Sequence, residues 1–147
     1  KYIESENIKL IVDDIPIKDL KGLYFDNTIV LDTTLETKAE KKCILAEELG
    51  HYYTTAGNIL DQDKINNLKQ ESKARDWAHD EVLKLRDFIN AYNHGCRNRF
   101  ETADFLEVTE EFLDGSIKFY QRKYGLLYTV DNYTIYFEPF GVFEAFL

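Results

Sequence analysis

The spacing of apolar and polar positions predicts short strands near both ends of the chain. Residues 8–12 predict a single strand. Residues 22–32 predict a hairpin, because β-rich segments flank Asp26-Asn27, whose side chains tolerate the positive φ of a type I′ turn. Residues 126–137 predict a second hairpin around Asp131-Asn132, which Pro139 closes.

Between these strands, apolar residues recur at helical spacing. The first helix is predicted to begin at a threonine cap, Thr33 or Thr37, and to continue past His51 to about residue 57. Residues 65–90 predict one long helix, and residues 100–105 and 109–124 predict two more. The apolar stripe of the long helix consists of Ala74, Trp77, Ala78, Val82, Leu85 and Ile89.

The expected architecture is α+β, in one domain over residues 1–147. A small antiparallel sheet packs on the first helix, and a helical C-terminal part ends in a β-hairpin. The length is sufficient to bury a core, and 14% of the residues are aromatic. Cys43 and Cys96 suggest no disulfide framework.

Charge and hydropathy limit the classes of partner that the protein is expected to bind. The net charge is −9, from 27 acidic and 18 basic residues, which argues against a general affinity for nucleic acid or anionic lipid and leaves room for a basic partner. No apolar run approaches the ~18 residues of a membrane span, and no signal-peptide pattern is present. The expected location is therefore the cytoplasm, without a membrane partner.

Candidate chemistry lies on the first predicted helix. Glu47 and His51 are four residues apart, so their side chains point the same way, ~6 Å apart along the axis, and a divalent ion can bridge them. Glu48 is placed to reach a water on that ion and act as a general base. The same arrangement occurs in the H-E-x-x-H motif, in which two histidines bind zinc and the glutamate activates water. Glu47 stands where the first histidine would be, and a carboxylate oxygen is an acceptable zinc ligand.

The carboxylate at position 47 changes the charge of the predicted site. With Glu47, His51 and one further carboxylate, a zinc site would be near neutral, and its water pKa should exceed the ~7 typical of strong zinc hydrolases. An oxygen-rich set also suits Mn²⁺ better than a histidine-rich set does. A site without metal is the remaining alternative.

The third ligand is predicted on the next helix, at Glu71. Two alanines that follow it permit close packing on the first helix, which brings Glu71 towards Glu47 and His51. Each element also has an ordinary interpretation, since E-E-x-x-H occurs by chance on solvated helices. His79 is an alternative ligand, although a partly exposed helix histidine is the simpler interpretation. His94, beside Gly95, is interpreted as a loop or cap residue.

Together these segments resemble the ImmA/IrrE family of metallopeptidases. The resemblance rests on LAEELGHYYTT at 45–55, ESKARDWA at 71–78 and LKGLYFDNTIVLD at 20–32, and it extends from about residue 8 to residue 125. The chain looks like the short version found in Gram-positive phages and integrated elements. The resemblance implies a zincin-like fold, a zinc cofactor and, as the protein substrate, a helix-turn-helix repressor encoded nearby.

By position, the resemblance assigns His51 and Glu71 as zinc ligands and Glu48 as the catalytic base, with Glu47 replacing the first histidine. An alternative of another class is a weak or inactive relative that binds a regulator without cleaving it. A third alternative is a DNA-binding regulator, because the spacing of apolar positions in residues 101–113 is typical of a helix-turn-helix. Its second helix is only modestly basic and opens with acidic residues, which argues against direct nucleic-acid binding.

Overall fold

The computed structural model describes residues 8–54 and 64–146, and the side chains of all of these except residues 64–68. The chain divides into two units, Lys1–Ala78 and His79–Leu147. The single domain over residues 1–147 stays a prediction. The elements in chain order are β1 Lys9–Asp13, β2 Gly22–Phe25, β3 Thr28–Asp32, α1 Lys38–Thr54, α2 Lys64–Val82, α3 Leu85–His94, α4 Arg99–Leu106, α5 Glu110–Tyr124, β4 Leu127–Val130, β5 Tyr133–Phe137 and β6 Phe140–Glu144. The predicted α+β class is confirmed.

The first hairpin forms as predicted. Strands β2 and β3 pair antiparallel, and the turn residues Asp26 and Asn27 have φ angles of 48° and 54°. Positive φ at both central residues is what a type I′ turn requires. Strand β3 lies in the middle of the sheet, in the order β1-β3-β2, because it carries the most deeply buried apolar run. That run consists of Ile29, Val30 and Leu31.

The prediction of an all-antiparallel first sheet is wrong, because β1 pairs parallel with β3. Residues 14–21 carry the chain from the end of β1 past the end of β3 to the opposite edge, where β2 begins. This crossing is held by Asp32 at the end of β3, whose Oδ1 accepts a hydrogen bond of 2.8 Å from the Ile15 N–H. Its Oδ2 accepts from the Thr34 N–H at 3.0 Å and from the Thr34 hydroxyl. The parallel pairing therefore depends on a side chain at the point where three segments meet.

Helix α1 is capped by Thr37, the second of the two predicted caps. The Thr37 hydroxyl accepts from the Glu40 N–H at 3.1 Å, and the Glu40 carboxylate accepts from the Thr37 N–H at 3.0 Å. This reciprocal pair is a capping box, which satisfies two backbone donors that a helix start otherwise leaves unpaired. Thr33 instead donates its hydroxyl proton to Asp14. The predicted helix end near residue 57 lies outside the described residues.

The core of the first unit lies between α1 and the sheet. Leu49 of α1 contacts the buried face of the sheet, and partly buried rings pack around this cluster. Burying side chains of this size stabilises by about 1.5–3 kcal/mol each, which holds α1 in a fixed position over β2 and β3. The buried cluster consists of Ile8, Ile29, Leu31, Leu35 and Leu49.

The prediction of one helix over residues 65–90 is wrong, because one helix ends at Val82 and another begins at Leu85. The Asp87 carboxylate accepts a 2.7 Å hydrogen bond from the Lys84 N–H and so starts a new helix. The Leu83 carbonyl accepts from the Tyr120 hydroxyl. These polar partners for the Lys84 N–H and the Leu83 carbonyl help to stabilise the break, although the apolar stripe continues through it. Within residues 8–54 and 64–146, none of the helices combines the length and apolar character needed to cross a lipid bilayer.

The second unit ends in a three-stranded antiparallel sheet of order β4-β5-β6. The predicted hairpin corresponds to β4 and β5, and the predicted helix pair before it is confirmed, with Thr109 capping α5 by accepting from the Phe112 N–H at 3.0 Å. The sequence pattern does not predict strand β6, because Pro139, which lies in the turn before it, indicates the end of the hairpin. The Phe140 ring packs edge to face on Phe88, with centroids 5.5 Å apart.

Replacing Asp32 by asparagine should destabilise the protein in a pH-dependent way. The hydrogen bonds from the Thr34 hydroxyl and from the Ile15 and Thr34 N–H groups lower the pKa of Asp32 from 3.8 to about 2. The ionised carboxylate therefore contributes stability above about pH 4, and this contribution is lost as the pH falls towards 2. Urea unfolding of wild type and Asp32→Asn should show a stability difference that shrinks over that window. A difference that does not change with pH would contradict this account.

Candidate functional site

Helices α1 and α2 bring His51 and Glu71 together. The His51 Nε2 lies 3.3 Å from the Glu71 Oε1. The imidazole is partly buried and the carboxylate is more open to solvent. Burial lowers the pKa of His51, but the hydrogen bond to Glu71 and the surrounding carboxylates outweigh this effect and raise the pKa. The same hydrogen bond lowers the pKa of Glu71, so the two side chains form an ion pair.

This proximity depends on a backbone contact between the two helices. A Cβ built on Gly50 would lie 2.2 Å from the Ala74 carbonyl oxygen, far closer than any real contact. Only glycine permits this approach, and Gly50 directly precedes His51. The Tyr53 ring stacks on the Trp77 ring on the same pair of helices, with centroids 4.9 Å apart. The predicted close packing around Ala74 is present, but its main determinant, Gly50, was missed; a glycine inside a helical pattern is the signal that marks it.

Glu48 is buried on α1, with 9% of its surface exposed. Burial raises the pKa of Glu48 to about 7; the His51 charge opposes this rise, and the Glu71 and Glu47 charges add to it. A carboxyl group with a pKa near neutrality can both accept and return a proton at physiological pH, which is the requirement for a general base. The structure thus places Glu48 in an environment suited to the role that the sequence predicts for it.

Glu47 is partly buried beside these groups, and its charge acts on both Glu48 and His51. Across residues 8–54 and 64–146, however, no three His, Cys, Asp or Glu side chains are arranged as a metal-binding group. The structure therefore brings His51 and Glu71 together, with Glu48 nearby, and it does not bring Glu47 into a three-ligand arrangement with them.

The His51–Glu71 pair fits a zinc ion in both chemistry and spacing. Imidazole nitrogen and carboxylate oxygen are ordinary zinc ligands with bonds of ~2.1 Å, and two such ligands at a tetrahedral ion are separated by about 3.4 Å. The observed separation of Nε2 and Oε1 is 3.3 Å. The two side chains can therefore hold a zinc ion with little rearrangement of their ligand atoms.

The other two histidines lie in the second unit. His79 is 8% exposed, so its interpretation as a partly exposed helix residue is wrong. Its ring packs against Phe112, with centroids 4.9 Å apart, and fills the space that Gly115 leaves, since a Cβ there would lie 2.6 Å from its Nε2. His94 is the exposed last residue of α3 and stacks on Phe105; the cap itself is Gly95, so the interpretation of His94 as a loop or cap residue is wrong by one position.

A match to a protein-family model identifies the family of this chain. The family model of the IrrE N-terminal-like domain, Peptidase M78, matches residues 3–118, which is more than half of the chain. The chain belongs to this family. The resemblance to the ImmA/IrrE metallopeptidases is thereby confirmed, and the α+β fold with its small mixed sheet is consistent with a zincin-like M78 domain. Membership in a metallopeptidase family implies a metal cofactor, usually zinc, and a protein substrate. No curated protein matches the chain.

Replacing Gly50 by alanine should destabilise the protein and weaken zinc binding. Alanine favours a helix over glycine by about 1 kcal/mol, but the new Cβ collides with the Ala74 carbonyl, and overpacking of this kind costs about 1–3 kcal/mol or more. We expect a lower free energy of unfolding in urea and a lower zinc affinity. Ala74→Gly should not rescue Gly50→Ala, because the collision is with the backbone carbonyl, which glycine also has. The losses caused by Gly50→Ala should therefore be the same in the Ala74 and Ala74→Gly backgrounds. Full rescue would show that the contact is not with the backbone.

Proposed function

We propose that this protein is a zinc-dependent endopeptidase of the ImmA/IrrE type, in which His51, Glu71 and Glu47 hold the metal and Glu48 is the general base. The observation that carries the proposal is the 3.3 Å approach of His51 Nε2 to Glu71 Oε1 beside the buried carboxyl of Glu48. From the family resemblance, we infer that the substrate is a helix-turn-helix repressor of a phage or mobile element, cleaved in the cytoplasm.

The chain's own residues account for orientation and proton transfer. The chemistry that zinc supplies when bound is Lewis-acid polarisation of the scissile carbonyl and of water. Glu48 takes a proton from the attacking water and returns it to the leaving amine. Its burial raises its pKa towards neutrality, so that it can hold this proton between the two steps. The backbone contact between Gly50 and Ala74 lets the helices that carry His51 and Glu71 lie close together.

Glu47 sets this chain apart from the H-E-x-x-H pattern. With Glu47 as a second carboxylate ligand beside Glu71, a divalent ion would have little net charge, which weakens its polarisation of water. Carboxylates also suit Mn²⁺ better than imidazoles do, so Mn²⁺ is the second metal that we propose to test. Turnover should accordingly be slower than with a histidine at position 47.

A second candidate function is regulator binding without cleavage. Two observations favour it: the replacement of the first histidine by Glu47, and the lack of a three-ligand group among residues 8–54 and 64–146. In this case the protein would bind the repressor whether or not zinc is present. Metal content and the effect of Glu48→Gln on cleavage separate the two functions.

Protein purified without chelator should contain one zinc ion, which His51→Ala should remove. His51 supplies the only imidazole of the proposed site, and a matched control is His94→Ala, an exposed histidine in the second unit that should leave the zinc content unchanged. Zinc content is measured by atomic emission after gel filtration. Protein without zinc, even after zinc is added, would favour the regulator-binding function.

Replacing Glu47 by histidine should raise zinc affinity roughly tenfold or more and lower the preference for Mn²⁺, because imidazole is the better zinc ligand. Competition with a chromogenic chelator gives both affinities. If Glu47 lies outside the metal site, the substitution will leave both affinities unchanged.

Glu48→Gln should keep zinc bound but slow repressor cleavage by a factor of about 100 or more, since the amide cannot accept the proton from water. Cleavage of purified repressor is followed on gels, with zinc content measured on the same samples. Equal cleavage rates in wild type and Glu48→Gln would remove Glu48 from the mechanism.

A further inference from the structure

Gly22, at the start of β2, lies against the side chain of Glu48. A Cβ built on Gly22 would lie 2.8 Å from the Glu48 Oε2 and 3.1 Å from its Cγ. It would also lie 2.5 Å from the Ile44 Cγ2. The volume that a side chain at position 22 would fill is thus occupied by the Glu48 carboxyl and one methyl group of Ile44. Glycine weakens a strand, and its presence there often marks a close approach by another group.

The strand cannot move away to make room for a side chain. Gly22 is opposite Leu31 in the antiparallel ladder of β2 and β3, and Leu31 is buried in the core. Directly beside this pair, the Asp32 N–H donates a 2.9 Å hydrogen bond to the Lys21 carbonyl. On the other side, Leu49 anchors α1 in the same core. Since both backbones are held, only the side chains of Glu48 and Ile44 can yield.

We propose that Gly22 is a positioning residue for Glu48. The Glu48 carboxyl packs directly against the backbone of β2 at Gly22, and this contact determines where the carboxyl lies relative to His51 and Glu71. A side chain at position 22 displaces the carboxyl and leaves the metal ligands in place. The catalytic meaning of this role rests on the proposed peptidase function, whereas the contact itself does not.

The contact is tested in metal-free protein by a double-mutant cycle in the free energy of unfolding. All variants carry Ile44→Leu, which removes the β-branched methyl group at a similar side-chain volume and so leaves Glu48 as the main obstacle. Gly22→Ala should destabilise Ile44→Leu protein, and the loss should shrink by at least half when Glu48→Ala is also present. If the Gly22→Ala protein folds only when Glu48→Ala is also present, the result supports the proposal more strongly. An equal loss in both backgrounds, or failure to fold in both, overturns the proposal.

The catalytic consequence is tested with zinc-loaded protein and purified repressor. Relative to Ile44→Leu alone, Gly22→Ala with Ile44→Leu should lower kcat by a factor on the order of 100, with zinc affinity and KM nearly unchanged, because a catalytic group has moved while the ligands have not. Unchanged kcat overturns the positioning role. If the Ile44→Leu and wild-type proteins show no cleavage at all, the peptidase function fails, and the unfolding cycle still decides whether Gly22 positions Glu48.

Discussion

The near-contact between the backbones of α1 and α2 is the constraint on which the candidate site depends. At Gly50 the two helices approach so closely that a single methyl group would overlap the Ala74 carbonyl. At an ordinary interaxial distance of 8–10 Å, long side chains separate two helices, and the Glu71 carboxylate would have to reach further to meet His51. One small residue therefore permits the approach of His51 and Glu71, whose hydrogen bond raises the pKa of His51 and lowers that of Glu71.

Local sequence signals predict the parts of the fold that local interactions determine. The pair Asp26-Asn27 predicts the first hairpin correctly, because the turn depends on the φ angles of those two residues. Thr37 and Glu40 mark the start of α1 in the same way, through hydrogen bonds between residues three apart. The spacing of Glu48 and His51 on one helix likewise follows from helix geometry alone.

The features that sequence analysis missed depend on partners far away in the chain. The parallel pairing of β1 depends on Asp32, which holds the Ile15 N–H from seventeen residues further on. The break before Leu85 uses the Tyr120 hydroxyl as a partner for the Leu83 carbonyl. The burial of His79 requires the space beside Gly115 in another helix. In the site, the approach of Glu71 to His51 is predicted, but its main determinant, the contact of Gly50 with the Ala74 carbonyl, joins residues twenty-four apart in the chain.

The capping box at Thr37 limits how this family member can change in length. Side-chain direction rotates by about 100° per residue along a helix, so the cap fixes the direction in which every later residue of α1 points. A single inserted or deleted residue between Thr37 and Glu47 would turn the motif away from Glu71, unless the cap itself were given up. The turn at Asp26-Asn27 is not subject to this constraint, because it connects two strands whose hydrogen bonds are to each other and not to α1. Variation in length among related chains should therefore accumulate in turns, and the stretch from the cap to His51 should keep a constant number of residues.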